Sequence, residues 1–183
     1  SLGEFEQGIP VIEAVRKQYP SHKIVVSFFS PSGYEVRKNN TLADATVYLP
    51  IDTQKNVTAF LKAVHPEMVF FIKYEFWPNY LNALKQQNIP TYLVSGIFRA
   101  NQIFFKPYGQ FYRKALTAFQ HFFVQNSESE QLLKNIAFDN VTVTGDTRFD
   151  RVLQILDRDN TLDFIANFKQ NETLVVIGSS WPV

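Results

Sequence analysis

Apolar and polar positions along the chain switch between two periods. Phe5, Ile9, Ile12, Val15 and Tyr19 recur at steps of four and three, one face of a helix that Pro20 ends. Gly8 and Pro10 fall near its start, where proline costs least. Lys23 to Phe29 (KIVVSFF) then runs almost continuously apolar, the signature of a strand buried on both faces of a parallel sheet. Ser30 as N-cap and Pro31 as first residue open a short helix reaching Lys38. Ala45 to Leu49 reads as a strand. Asp52 caps the helix after it, whose face is Val57, Phe60, Leu61 and Val64. Met68 to Ile72 is another buried strand, and Pro78 starts another helix.

The alternation continues toward the carboxyl end. Thr91 to Val94 and Phe122 to Val124 are strands, with a helix from Tyr108 to Phe119 between them. Ser127-Glu128-Ser129-Glu130 reads as a capping box in which Ser127 caps and Glu130 reaches back, and Leu132, Leu133 and Ile136 continue that helix. Val141 to Val143 is a strand running into Gly145. Asp150 to Leu156 and Leu162 to Phe168 are connecting helices, and Leu174 to Ile177 starts a further strand. Strands alternating with helices give an α/β fold: a Rossmann-like parallel sheet with helices on both faces. The expected organisation is one such domain over residues 1–149, lacking its first strand because Ser1 to Glu4 reads as a strand-to-helix loop. Connecting helices follow over 150–171, and 172–183 is the start of a second, truncated α/β domain.

Composition narrows the chemistry. The chain has 183 residues, 45% hydrophobic and 19% charged, enough to bury a core. Its 18 basic and 17 acidic side chains give a net charge of +1, which makes no global case for a nucleic-acid partner. With no cysteine there is no disulfide, thiolate metal site or cysteine nucleophile. His22, His65 and His121 are scattered without ligand spacing, so no metal is expected. There is no dinucleotide fingerprint, P-loop or Gly-x-Ser-x-Gly elbow. No apolar stretch approaches the roughly 20 residues of a membrane span. The 18 Phe and 8 Tyr are more than a core of this size requires, so some should line an exposed apolar surface.

Two carboxylates stand out. Glu75 lies in the loop between the Met68–Ile72 strand and the Pro78 helix, and Glu4 lies at the start of the first helix. Ligands of open α/β sheets bind outside the carboxyl ends of the strands. A carboxylate there is either a solvated loop charge or a base able to take a proton from a hydroxyl. Topology puts both at one sheet edge. The stretch Ile97 to Lys114 interleaves Phe98, Ile103, Phe104, Phe105, Tyr108, Phe111 and Tyr112 with Arg99, Lys106, Arg113 and Lys114. It is either a face for an anionic amphiphile or a core stripe with a solvated basic side. Arg148, after Gly145-Asp146-Thr147, can meet a phosphate or pair with Asp146 or Asp150. Ser179 and Ser180 follow a strand and suit an anion site or a bland turn.

At these residues the sequence resembles the bacterial 3-deoxy-D-manno-octulosonic acid (Kdo) transferases of lipopolysaccharide synthesis. Ser1-Leu2-Gly3-Glu4 is similar to that family's Ser-x-Gly-Glu loop, and Ser30-Pro31-Ser32-Gly33 to its Thr-Pro-Thr-Gly turn. Tyr48-Leu49-Pro50-Ile51-Asp52 resembles its Tyr-Leu-Pro-x-Asp, and Glu75-Phe76-Trp77-Pro78-Asn79 its Glu-Leu-Trp-Pro-Asn. Thr144-Gly145-Asp146-Thr147-Arg148-Phe149-Asp150 resembles its Thr-Gly-Asn-x-Lys-Phe-Asp, and Gly178-Ser179-Ser180-Trp181 the opening of its second domain. The resemblance implies the N-terminal, acceptor-binding domain of a GT-B glycosyltransferase that moves Kdo from CMP-Kdo to a lipid A precursor, inverting, without a metal and without a cofactor. It implies Glu4 as base and Glu75 as an accessory carboxylate of the acceptor site. The cations Lys73, Arg99 and Lys106 are expected on the acceptor side, and Arg148, Ser179 and Ser180, which suit an anion, on the donor side. CMP-Kdo would bind through the missing domain, so the fragment alone should be inactive. The implied place is the cytoplasmic face of the bacterial inner membrane, at the membrane surface.

Two positions depart from the family pattern. Lys73, a cation able to pair with Glu75 or with an acceptor phosphate, stands where many relatives carry a second Glu. Gly96-Ile97-Phe98-Arg99 stands where relatives often have Ala-Arg-Leu-Ser, so the family's acceptor contacts there do not carry over. The rival readings are another GT-B nucleotide-sugar transferase or epimerase with a soluble acceptor, and a non-catalytic α/β binding module.

Overall fold

A computed structural model of the chain describes residues 1–156 and 161–178. It divides into two compact units, Ser1–Arg151 and the residues from Val152 onward. The first unit alternates strands and helices: α1 (Leu2–Gln18), β1 (Val25–Phe28), α2 (Pro31–Arg37), β2 (Ala45–Tyr48), α3 (Gln54–Val64), β3 (Val69–Ile72), α4 (Pro78–Gln86) and β4 (Thr91–Gly96). After a 3-10 turn at Ile103–Phe105 come α5 (Gln110–Leu116), β5 (His121–Val124), α6 (Ser127–Lys134), β6 (Val141–Val143) and α7 (Arg148–Leu156), the last running across the unit boundary. All strand pairs are parallel, as the buried apolar runs require.

The strands form two ladders, β1-β2 and β3-β4-β5-β6, where the pattern suggested one sheet. β4 has a neighbour on each side and is the most buried strand; Leu93 and, in β5, Phe122 and Val124 are fully enclosed. The main core joins these strands to Leu81, Phe98, Leu116, Phe119 and Leu133. A second core packs Val57 and Leu61 of α3 on Tyr80 and Leu84 of α4, and a third packs Phe5 and Ile9 of α1 on Phe28.

Between the ladders lies an open slot. Lys23 to Phe28 along β1 and Met68 to Ile72 along β3 line one groove, with Gly8, Ile12 and Val15 of α1 and Phe60, Leu61 and Val64 of α3. Parallel strands turn alternate residues to opposite neighbours. Ile24 and Phe28 carbonyls accept from the β2 side, so the amides of Val25 and Ser27 face the slot. Val69 and Lys73 amides donate to the β4 side, so those of Phe70 and Ile72 face it from across.

Several local expectations change. Helix α1 begins at Leu2, which puts Pro10 inside it, where its ring removes one helical hydrogen bond. Thr53 caps α3 by accepting from the Asn56 amide at 3.3 Å. Asp52 caps α4 instead, accepting from the amides of Asn79 at 3.0 Å and Tyr80 at 3.1 Å. Asn126, not Ser127, caps α6 by accepting from the Ser129 amide at 2.9 Å, and Glu130 pairs with Lys134. The capping-box arrangement occurs at Ser1 and Glu4. Helix α5 is shorter than Tyr108 to Phe119 because Gly109 is its N-cap and the chain before it turns as a 3-10 segment. In the second unit, α8 (Asp163–Lys169) forms, but Leu174 to Ile177 pairs with no described strand. Val175, Val176 and Ile177 are exposed, and without a ladder partner an apolar run has no strand hydrogen bonds to make.

Candidate functional site

The carboxyl ends of β1 and β3 carry the candidate chemistry. Glu4 sits in the first turn of α1, where free amides and the helix dipole favour the ionised carboxylate. Its side chain is 17% exposed. Burial opposes the charged form of the carboxylate, while the Ser1 hydroxyl and the Lys73 charge favour it. Glycine at position 33 lets α2 close on this end: a Cβ there would come within 2.6 Å of the Phe28 ring and 3.3 Å of the Ser1 backbone.

Glu75 lies in the loop after β3. Its Oε2 accepts from the Trp77 indole Nε1 at 2.6 Å, and the Trp77 ring lies 4.7 Å from that of Phe29 at the end of β1. Glu4, Glu75, Ser1 and Trp77 all line the same slot, so the two carboxylates do share one edge. Lys73 does not pair with Glu75 among the described residues. It adopts a left-handed backbone, φ 67°, and its Nζ lies 4.7 Å from the Tyr74 ring centroid. Arg99 Cζ lies 5.9 Å from that same ring.

Arg148 takes the intramolecular option. Its Nε and Nη2 donate to Asp146 Oδ2 at 2.9 and 2.5 Å, and its amide to Oδ1 at 3.0 Å. Burial pushes the Asp146 carboxyl up, but Arg148 and Gln7 outweigh it and hold its pKa at about 2. Lys106 contributes its carbonyl to Arg113, and no ion pair reaches its ammonium among the described residues. Ser179 and Ser180 lie outside the described residues. The aromatic stretch divides: Phe98 and Phe104 are core, whereas Tyr108 and Phe111 are 75% and 65% exposed.

A network invisible to pattern reading ties α1 to the turn after β6. Buried Gln7 donates from Nε2 to Asp146 Oδ1 at 2.9 Å, and its carbonyl accepts from Thr147 Oγ1 at 2.7 Å. Thr147 has one hydroxyl proton, so Ser95 Oγ donates to Thr147 Oγ1, 2.9 Å away, while accepting from the Thr147 amide at 3.2 Å. Ser95 is fully buried at φ 50°, a strained position these bonds hold. Nothing in the sequence spacing of residues 7, 95 and 147 signals that they meet. Among the described residues no group of three or more His, Asp or Glu is placed to hold a metal ion, and no helix is long and apolar enough to cross a membrane.

Residues 1–151 match the family model described as 3-deoxy-D-manno-octulosonic-acid transferase (kdotransferase). A 3-deoxy-D-manno-octulosonic acid transferase of Haemophilus influenzae is 32% identical over 92 residues, 49% of this chain and 21% of that protein. One of Chlamydophila psittaci is 24% identical over 190 residues, 100% of this chain and 43% of that protein. The chain thus spans less than half the length of these relatives. Among solved structures, a UDP-GlcNAc 2-epimerase from Neisseria meningitidis superposes with a TM-score of 0.63 at 19% identity, covering 92% of this chain and 52% of that one. A UDP-N-acetylglucosamine 2-epimerase superposes with a TM-score of 0.64 at 15% identity, over 93% of this chain and 50% of that one. Identities this low show a shared fold.

Proposed function

Because the chain belongs to the 3-deoxy-D-manno-octulosonic-acid transferase (kdotransferase) family, we propose that it is the acceptor-binding part of a glycosyltransferase moving Kdo from CMP-Kdo to a lipid A precursor. The observation that carries this reading is the pair of carboxylates, Glu4 and Glu75, lining one groove at the carboxyl edge of parallel strands. A sugar hydroxyl is a weak nucleophile near neutral pH and needs a positioned base. Glu4 accepts the acceptor hydroxyl proton as that oxygen bonds to the anomeric carbon of Kdo, and the bond to the CMP phosphate breaks. Attack opposite the leaving group inverts the anomeric centre, and the reaction uses no metal. Glu75, fixed by Trp77, accepts from a second acceptor hydroxyl. Arg99 and Lys106 serve the anionic side of the acceptor. The exposed Tyr108 and Phe111 meet its acyl chains at the cytoplasmic face of the inner membrane. The donor would be held elsewhere in the complete protein, with Arg148, Ser179 and Ser180 toward that side, so these residues alone should not catalyse transfer.

The test is Kdo transfer from CMP-Kdo to a lipid A precursor by the complete protein, wild type against Glu4→Gln, with EDTA present. Activity surviving EDTA and falling about 10²- to 10⁴-fold in the variant supports a metal-free transferase with Glu4 as base. Unchanged turnover in Glu4→Gln removes Glu4 from that role, and absence of transfer by a folded wild type refutes the Kdo reading.

A further inference from the structure

We propose that Gln7 is a positioning residue: through Asp146 it fixes Arg148, and so ties the cation on the donor side to the helix that carries Glu4. This rests on the reading of the domain as part of a Kdo transferase, and adds a residue, Gln7, that neither the family motifs nor sequence spacing singles out.

Four donors converge on one carboxylate. Asp146 Oδ1 accepts from Gln7 Nε2 at 2.9 Å and from the Arg148 amide at 3.0 Å. Asp146 Oδ2 accepts from Arg148 Nε at 2.9 Å and from Nη2 at 2.5 Å. The Asp146 side chain is 8% exposed and Gln7 is fully buried, whereas 56% of the Arg148 side chain reaches solvent. Two donors held on one oxygen restrict how the guanidinium can turn. Among the described residues Arg148 Nη1 has no hydrogen-bond partner, so that end of the fork is free to donate to an anion.

The Asp146–Arg148 pair alone is local, two residues apart beside a turn that Gly145 enters at φ 82°. Gln7 joins its carboxylate to α1. Glu4 and Gln7 stand three residues apart on that helix, hence on one side of it. Base and cation thereby share one rigid element. A second tether, Thr147 Oγ1 to the Gln7 carbonyl at 2.7 Å, does not involve the Gln7 side chain and survives its replacement. The Gln7 amide is oriented for the charge of Asp146: Nε2 faces the carboxylate, and Oε1 is buried without a partner. An unsatisfied buried acceptor costs stability, so stability alone does not explain the arrangement. What it provides is an arginine already in place, which loses less freedom on meeting its ligand. The anion suited to that edge is the phosphate of the nucleotide donor. As transfer proceeds, the bond from that phosphate oxygen to Kdo breaks and the electron pair stays on the oxygen. A preset N–H donor stabilises the charge that develops there.

The test is titration calorimetry of the complete protein with CMP and with cytidine, which lacks the phosphate, alongside steady-state kinetics. Arg148→Gln should weaken CMP about tenfold or more. Gln7→Met, close in size and unable to donate, should weaken it about three- to tenfold, within the worth of one charge-assisted hydrogen bond. Cytidine affinity should be unchanged in both. The double variant should bind CMP no more weakly than Arg148→Gln, because Gln7 acts through Arg148. In turnover, Gln7→Met should lower kcat/KM for CMP-Kdo by the same factor and leave the acceptor KM alone. Asp146→Asn, which removes the charge between the two, should reproduce the loss of CMP affinity and carries the test if Gln7→Met does not fold. Additive losses in the double variant, or an equal loss of cytidine, mean a structural role and overturn the proposal. Wild-type CMP affinity in the Gln7 and Asp146 variants, or a change confined to the acceptor KM, overturns it too. The expected CMP pattern in a protein that transfers no Kdo refutes the transferase reading and leaves Gln7 as the positioning residue of a nucleotide phosphate site.

Discussion

The indole of Trp77 donates to the carboxylate of Glu75 at 2.6 Å, two residues away across the bend that ends β3. The bond fixes one carboxylate oxygen and leaves the other available to a ligand. Trp77→Phe keeps a ring against Phe29 and removes the donor. Turnover of the complete protein should fall about five- to tenfold, the equivalent of one hydrogen bond, with the circular dichroism spectrum unchanged. Unaltered turnover would show that Glu75 needs no such anchor.

Asp52 reaches from the β2–α3 connection to cap α4, accepting from Asn79 and Tyr80 amides. Asp52→Ala orphans both donors at the first turn and should cost about 1–2 kcal/mol, read as a lower thermal midpoint. Burial, then the Asp52 charge, pushes the Tyr80 hydroxyl up to about 12. The same variant should therefore let Tyr80 ionise at lower pH, followed by ultraviolet difference spectroscopy.

Asp146 supplies a pH dependence of known sign. Its folded pKa of about 2 lies below the unfolded value of about 3.9. Its contribution to stability is therefore complete above about pH 4 and is lost as pH falls through about 2. Asp146→Asn should be less stable than wild type at pH 6, with the gap narrowing between pH 4 and pH 2. A gap that stays constant would mean Asp146 bears no depressed pKa.

The sequence announced the element types well because each is carried by a period: the steps of α1, the apolar runs of β1 and β3, Pro31 and Pro78 at helix starts. It announced the shared edge of Glu4 and Glu75 because parallel topology fixes which end of a strand a loop occupies. Caps were less legible. Asp52 and Ser127 each stand beside an alternative, Thr53 and Asn126, and tertiary packing decides which side chain faces the amides. The Gln7, Ser95 and Thr147 network and the Tyr74 ring were illegible because their partners are brought together by the fold, with no periodicity to mark them.

The edges of β1 and β3 also say what the slot can hold. Two parallel edges facing one slot are the geometry that receives one more extended backbone, whose amides and carbonyls would pair with both sides at once.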